Sequence, residues 1–357
     1  MTEKQRLWSI DALRGADMFF IMGGTLMILR LCVALAGGDA GWHWPLAEQL
    51  YHCEWDGLRF YDCLFPLFLF LAGASWPFSL ASQRKGGVSE GRIALRCIRR
   101  GLTLLLFGLI LNGLFKFTWN QLFFGSVLGR IGCAWMFAAL ASLVLKVRGR
   151  IVLTAAILVG YWMLVAFVPA PDAPIGARPF SNAGNIVGWV DRFLWPNHIG
   201  KCVTVAEGFL NTVPAVGTAL LGIFAGEIVR RDDIAGNHRV LWLIASAIGL
   251  TSLTWLISRA FGTYSMPINK CLWSSSYVCA TGAFSFAMLA LFYWMIDVRG
   301  WRRWTFFFRV IGMNAITIYM LRPIVDINKT VTFFLGGIMS CCPEIWADFI
   351  LSCGYVT

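Results

Sequence analysis

Residues 151–168 read IVLTAAILVGYWMLVAFV, a run of eighteen residues without a charged side chain. A helix of about 20 apolar residues crosses the ~30 Å hydrocarbon core of a bilayer. Lipid offers the backbone no hydrogen-bond partner, so such a segment must be a helix or part of a closed barrel. Apolar residues follow one another here instead of alternating with polar ones, which favours the helix.

Similar apolar runs recur along the whole chain. Hydrophobic residues make up 58% of the 357 residues and charged residues only 14%, against about 25% charged in soluble domains. The composition predicts an all-α, polytopic membrane helix bundle that forms one transmembrane domain over residues 1–357. About ten transmembrane helices are predicted, at 15–37, 60–82, 95–115, 127–146, 151–168, 209–229, 240–258, 275–297, 305–322 and 330–353.

Basic residues gather in alternate connections between these predicted helices. They lie before residue 15 and at 84–100, 146–150, 230–239 and 299–303. The positive-inside rule predicts that these segments and the amino terminus are cytoplasmic. The long connections at 38–59 and 169–208 then face outward. This distribution accounts for the net charge of +11, so no nucleic-acid partner is predicted.

Several familiar catalytic motifs are absent from the sequence. It has no P-loop, no G-x-S-x-G, no H-E-x-x-H and no Cys/His spacing typical of a metal site, which disfavours nucleotide-driven pumps, serine hydrolases and zinc enzymes. No metal is predicted. Polar groups near the ends of apolar helices remain, and these are candidate functional residues because they are costly in a membrane.

The densest polar cluster precedes the predicted helix at 60–82. It reads YHCEWDG at 51–57 and YDCLFP at 61–66. An imidazole ionises near neutral pH, so His52 is suited to take a proton or to act as a nucleophile. A carboxylate such as Asp56 or Asp62 would fix its tautomer. The alternative is an interfacial histidine beside an aromatic belt.

Three further positions carry polar groups near or within apolar runs. Arg14 is either a candidate functional residue or half of a cytoplasmic ion pair with Asp11, and Asp17 lies inside the first apolar run. Arg130, in the sequence GRIG, either extends its side chain so that the guanidinium reaches water or binds a phosphate with two N–H groups. Asn314 either bonds a neighbouring helix or contacts substrate.

The segment MPINKCLWS at 266–274 forms another polar cluster, at the predicted outer mouth of the helix 275–297. Lys270 and Trp273 are suited either to anchor the chain at the membrane surface or to contact substrate.

These clusters together resemble the heparan-alpha-glucosaminide N-acetyltransferase family. Six stretches match in the family's order and span most of the chain: SIDALRGADMFFIMGG (9–24), HCEWDGLRFYDCLFPLFLFLAGAS (52–75), VLGRIGCAWMFAAL (127–140), EGFLNTVPAVGTALLGIFAGE (207–227), INKCLWSSSYV (268–278) and GMNAITIYM (312–320). Of these stretches, INKCLWSSSYV (268–278) is the most specific to the family.

The resemblance implies an acetyl-CoA-dependent enzyme that passes acetyl from the cytoplasm to the amine of a glucosamine or glucosamine-containing saccharide across the membrane. It implies a homodimer in contact with membrane lipid. The family's active-site histidine falls on His52, its fourth-helix arginine on Arg130, and its Asn-Lys pair on Asn269 and Lys270. The predicted site is therefore His52, Asp56 and Asp62 for catalysis; Arg130, Arg14, Asp17 and Asn314 for the donor; and Trp55, Asn269, Lys270 and Trp273 for the acceptor.

The chain departs from the animal members of that family. Asp56 stands where they carry Asn, and Gly23-Gly24-Thr25 lies where they carry a second catalytic Asn. The expected large amino-terminal domain is missing, which favours a minimal bacterial version in an inner membrane with a periplasmic acceptor. A rival interpretation is an amino-sugar permease, in which the same polar groups only bind.

Overall fold

The computed structural model describes residues 7–117, 125–195 and 207–355. Within these ranges every regular element is helical, and pairing of extended backbone is limited to two isolated bridges. The α-helices are α1 (Trp8–Phe19), α2 (Thr25–Ala36), α3 (Pro45–Glu48), α4 (Phe60–Ala74), α5 (Trp76–Lys85), α6 (Glu90–Leu111), α7 (Val127–Val144), α8 (Val147–Phe167), α9 (Ile186–Leu194), α10 (Thr212–Arg230), α11 (Gly236–Arg259), α12 (Ser275–Tyr293), α13 (Thr305–Met313), α14 (Ala315–Leu321), α15 (Ile327–Ser340) and α16 (Glu344–Cys353).

The chain divides into two compact units. Unit 1 comprises Met1–Cys53, Arg59–Leu64 and Phe292–Thr357, and unit 2 comprises Glu54–Leu58 and Phe65–Leu291. The single transmembrane domain expected from the sequence stays a prediction.

Unit 1 is built around close contact between α1 and α13. A side chain at Gly15 would collide with the backbone oxygen of Phe308, and one at Gly312 with that of Asp11. Phe19 packs edge-on against Phe307 and Phe308 beside this contact. A π-helical segment, Phe20–Gly24, follows α1, and Gly23 within it has non-helical dihedrals. The apolar run that sequence predicts as one helix is therefore broken in its middle.

Unit 2 brings α4 and α10 equally close. A Cβ atom at Gly222 would overlap the backbone oxygen of Phe70, and one at Gly226 the oxygen of Ala74. These two glycines are four residues apart and therefore share one face of α10. Small residues at this spacing let membrane helices approach until their backbones touch.

We expect Gly222→Ala to destabilise the protein by about 1–3 kcal/mol, because an added methyl group forces two backbones apart. Gly249→Ala is the matched control, since Gly249 is also helical and nothing lies within 4 Å of its missing Cβ. The melting temperature of the purified protein should fall for the first variant and hold or rise for the second. If the two variants have equal melting temperatures, α4 and α10 accommodate the added methyl group without loss of stability.

Helices long and apolar enough to cross a bilayer confirm a multi-pass membrane protein. Seven such segments occur in the described residues: Trp8–Ala36, Phe60–Lys85, Val127–Val144, Val147–Phe167, Thr212–Arg230, Gly236–Arg259 and Ser275–Val298.

The predicted count of about ten spans is not confirmed, and the orientation of the amino terminus stays a prediction. The three remaining predicted spans differ from the seven for physical reasons. The one at 95–115 begins as α6 at Glu90 and carries four arginines in its first half. The one at 305–322 is divided at Asn314 into α13 and α14. The one at 330–353 is divided between α15 and α16, where Pro343 caps the second helix.

Candidate functional site

In unit 1, His52 pairs with Asp62. Asp62 lies in the first turn of α4, is 1% exposed, and its Oδ1 is 2.8 Å from His52 Nδ1. Its Oδ2 accepts from the backbone N–H groups of Cys53 (3.1 Å) and Arg59 (3.2 Å). Two backbone donors therefore fix the carboxylate, and the carboxylate fixes the imidazole.

This geometry defines the tautomer of His52. A carboxylate accepts a hydrogen bond from Nδ1, so the hydrogen lies on that nitrogen and the lone pair on Nε2. The His52 ring stacks on Tyr61 with centroids 4.5 Å apart, while its side chain remains 51% exposed. The arrangement holds a basic nitrogen in a defined direction on a side chain that solvent still reaches.

In unit 2, Arg130 is buried in the first turn of α7. Only 2% of it is exposed, so the interpretation in which it reaches water along its stem is wrong. Its Nη2 donates to Asn211 Oδ1, and its guanidinium lies 4.6 Å from the centroid of the Trp273 ring. It interacts electrostatically with Glu207 and Asp191.

The guanidinium of Arg130 is not fully satisfied by the residues that the structure describes. Its Nε and Nη1 atoms are buried and have no hydrogen-bond partner in the part of the chain that the structure describes. Buried donors of this kind are costly unless another group accepts from them. The arrangement is suited to hold an oxygen-bearing or anionic ligand.

The loop before α12 supports Arg130 from one side. Trp273 is fully buried, which excludes its interpretation as an anchor at the membrane surface. Its backbone φ of 48° lies in the left-handed region, a conformation that costs a bulky residue on the order of 1–3 kcal/mol. Its indole N–H donates to Thr218 Oγ1 (3.3 Å). The backbone of Trp273 is therefore strained in the conformation that places its ring beside Arg130.

Asn269 of the same loop pairs with Asp56. The Asn269 amide donates to Asp56 Oδ1 (3.2 Å) and accepts from Leu272 N (2.9 Å). Gly57 N also donates to Ile268 O (2.8 Å), and Trp55 Nε1 donates to Phe180 O (3.0 Å). Residues 54–58 are therefore tied to the loop by both side chains and backbone.

The other predicted site residues have separate settings. Lys270 is partly buried in the loop. Arg14 pairs with Asp11 at 3.4 Å, and Asp17 is buried with both carboxylate oxygens lacking a partner among the described residues. Asn314, between α13 and α14, is exposed and donates to Val310 O of the adjoining α13 (2.9 Å), so its interpretation as a buried link to another helix is wrong.

Two residues of the Arg130 environment were not singled out from sequence. Asn211 is fully buried just before α10, and its amide also donates to Cys271 O (2.8 Å). Asp191 is fully buried in α9 and accepts from Phe209 N (3.0 Å). Asn211 lies inside the stretch EGFLNTVPA, and an amide at the start of an apolar helix was the available signal.

Comparison with known proteins gives the chain's relationships. No family model matches it. The human heparan-alpha-glucosaminide N-acetyltransferase is 27% identical over 88% of this chain and 53% of the human protein. The mouse protein of the same name is 27% identical over 89% of this chain and 54% of its own length. The chain spans about half the length of these curated relatives. It is thus related to the heparan-alpha-glucosaminide N-acetyltransferase family.

Proposed function

We propose that this protein is a transmembrane N-acetyltransferase. It takes acetyl from cytoplasmic acetyl-CoA and passes it to the amine of a glucosamine-type sugar on the periplasmic side of a bacterial inner membrane. The observation that carries the proposal is the His52–Asp62 pair, an oriented base on a partly exposed side chain. Two curated relatives whose printed name is that of a glucosaminide N-acetyltransferase support it.

The pair suits the chemistry of amine acetylation. A glucosamine amine is mostly protonated near neutral pH and cannot attack a carbonyl in that form. His52 Nε2 accepts one proton from the ammonium, and the neutral amine then attacks the thioester carbon. The C–N bond forms, the C–S bond breaks, and the leaving thiolate takes up the amine's second proton. Positioned proton transfer of this kind contributes about 10²–10⁴ to a rate.

The same nitrogen supports a second route. Nε2 attacks the thioester itself, the coenzyme A thiolate leaves, and the acetyl-imidazole then acylates the sugar amine. Asp62 has one role in both routes, because it balances the positive charge that the ring carries when Nε2 gains a proton or an acetyl group.

Arg130 is assigned to the donor. Its buried, unsatisfied N–H groups offer hydrogen bonds to a phosphate or to a carbonyl of the pantetheine arm. Asn211 and Trp273 hold the guanidinium in one orientation. Asp56 and Asn269 hold the loop that carries Trp273, while Trp55 and Lys270 are the partly exposed members of the acceptor set.

The test is product formation by the purified protein in lipid nanodiscs. Labelled acetyl-CoA and glucosamine should give N-acetylglucosamine, identified by mass, with one coenzyme A thiol released per product. N-acetylglucosamine as acceptor is the control, because its nitrogen is already acylated and should accept nothing. If proteoliposomes accumulate glucosamine and no acetylated product forms, the protein is a permease and the proposal fails.

A further inference from the structure

The exposed face of α6 combines cationic and exposed apolar side chains in one strip. Ile93, Cys97, Gly101, Leu104 and Gly108 form the buried face. A Cβ at Gly101 would meet Met136 of α7 at 2.8 Å, which shows how closely the two helices pack. Several side chains on the opposite side of α6 are exposed.

That opposite side changes character along the helix. Arg92, Arg96 and Arg99 are exposed in its first turns. Leu95, Leu102 and Leu106 are each about half exposed on the same side of the helix. Residues three, four and seven apart share a helix face, so these six side chains form one strip. Its first part holds the three arginines with Leu95 among them, and Leu102 and Leu106 follow.

The strip has almost no negative charge to balance it. Residues 76–111 contain six basic residues and a single acid, Glu90, and Glu90 already pairs with Arg84 at 2.7 Å. Arg100 is directed to the neighbouring helix, where it stacks over Trp135 at 4.3 Å. Arg96 donates to the neutral amide oxygen of Gln83 (2.9 Å). The excess positive charge therefore faces the surroundings of the protein.

We propose that this strip is a binding site for an anionic phospholipid, with Arg92, Arg96 and Arg99 on the headgroup phosphate and Leu102 and Leu106 along the acyl chain. A phosphate followed by hydrocarbon is the one ligand chemistry that matches guanidinium groups followed by exposed leucines on a single face. The nucleotide end of coenzyme A also carries phosphates, but it continues into a polar arm that exposed leucines do not favour. The strip is therefore a lipid site and not part of the donor site.

Native mass spectrometry of the purified protein tests the assignment. The number of bound phosphatidylglycerol molecules is compared with phosphatidylcholine for wild type and for Arg92→Gln/Arg96→Gln/Arg99→Gln. Each basic residue near a lipid surface contributes about 1 kcal/mol, or about fivefold. We expect the triple variant to lose its preference for the anionic lipid by at least about tenfold, whereas Arg-to-Lys replacement at the same positions keeps most of it.

The control variant Arg148→Gln/Arg230→Gln/Arg303→Gln removes the same charge from exposed arginines elsewhere. It should lose clearly less of the preference, because these three arginines lie in three separate segments and not on one strip. Saturating acetyl-CoA should leave the bound lipid in place. The proposal is overturned if the α6 variant binds phosphatidylglycerol like wild type, if the control loses as much, or if acetyl-CoA displaces the lipid. Should the triple variant melt early, the three single variants decide, each with a loss of about fivefold.

Discussion

Replacing His52 with alanine is expected to lower turnover by about 10²–10⁴, the contribution of a positioned general base. The affinity for acetyl-CoA should stay close to that of wild type, because the proposed donor contacts do not involve the imidazole. Asp62→Asn should also cause a large loss, because the single amide oxygen must accept from the backbone N–H groups of Cys53 and Arg59, which turns the amide NH2 toward Nδ1 and reverses the tautomer of the ring. The measurement is initial rate per folded molecule, with the folded fraction taken from size-exclusion chromatography.

The matched control for this experiment is His43→Ala. His43 is also an exposed histidine of unit 1, at the end of the short 3-10 helix Asp39–His43, and its loss should leave turnover unchanged. A structural histidine at position 52 would lower only the yield of folded protein. Wild-type turnover in purified His52→Ala would therefore remove the catalytic assignment and strengthen the permease interpretation.

Arg130→Ala is expected to weaken acetyl-CoA binding by roughly tenfold to a hundredfold, the loss of about 1.5–3 kcal/mol for a hydrogen bond to a charged group. Arg130→Lys should lose less, because it keeps the charge but not the planar fork. Asn211→Ala should also weaken donor binding, since the amide positions the guanidinium. The measurement is the KM for acetyl-CoA set against kcat.

A double-mutant cycle tests whether Asn211 acts on donor binding through Arg130. If Asn211 acts through Arg130, then Asn211→Ala has no further effect on the donor KM once Arg130 is alanine. Arg150→Ala is the control for loss of a buried arginine. Arg150 is 4% exposed and pairs with Glu227 at 2.8 Å, so its removal should lower stability without changing donor affinity. Additive effects of Arg130 and Asn211 would show that they act independently.

The pairing of His52 with Asp62 shows how far the sequence predicts the candidate site. The cluster of one histidine and several carboxylates was evident, but two aspartates were equally plausible partners. The choice depends on α4 beginning at Phe60, which places Asp62 in the first turn and aligns its oxygen with two backbone N–H groups. Helix ends depend on such local hydrogen bonds and are poorly defined by apolar composition.

The environment of Arg130 was less predictable, for a different reason. Trp273 reads as a membrane-surface residue because it stands in a polar loop beside a lysine. Its burial depends on a left-handed backbone at that single position. A conformation at one residue leaves no periodic pattern in the sequence from which it could be predicted. Asn211 was overlooked because its partners, Arg130 and Cys271, are remote along the chain. The apolar runs, in contrast, determined the all-helical fold directly, since burial in lipid acts on each segment separately.

The break in the first apolar run affects how this segment can match the thickness of a bilayer. Trp8–Ala36 has 29 residues, and as one straight α-helix it would be about 44 Å long. Its first two turns carry Asp11 and Arg14 and lie before the apolar run. The apolar part, 15–36, would be about 33 Å long as a straight helix, so it would have to tilt to fit a ~30 Å hydrocarbon core. The π-helical segment instead separates two helices of 12 residues each, about 18 Å apiece. The two halves therefore need not share one axis, and a bend at Gly23 shortens the extent of the segment across the bilayer without tilting the whole of it.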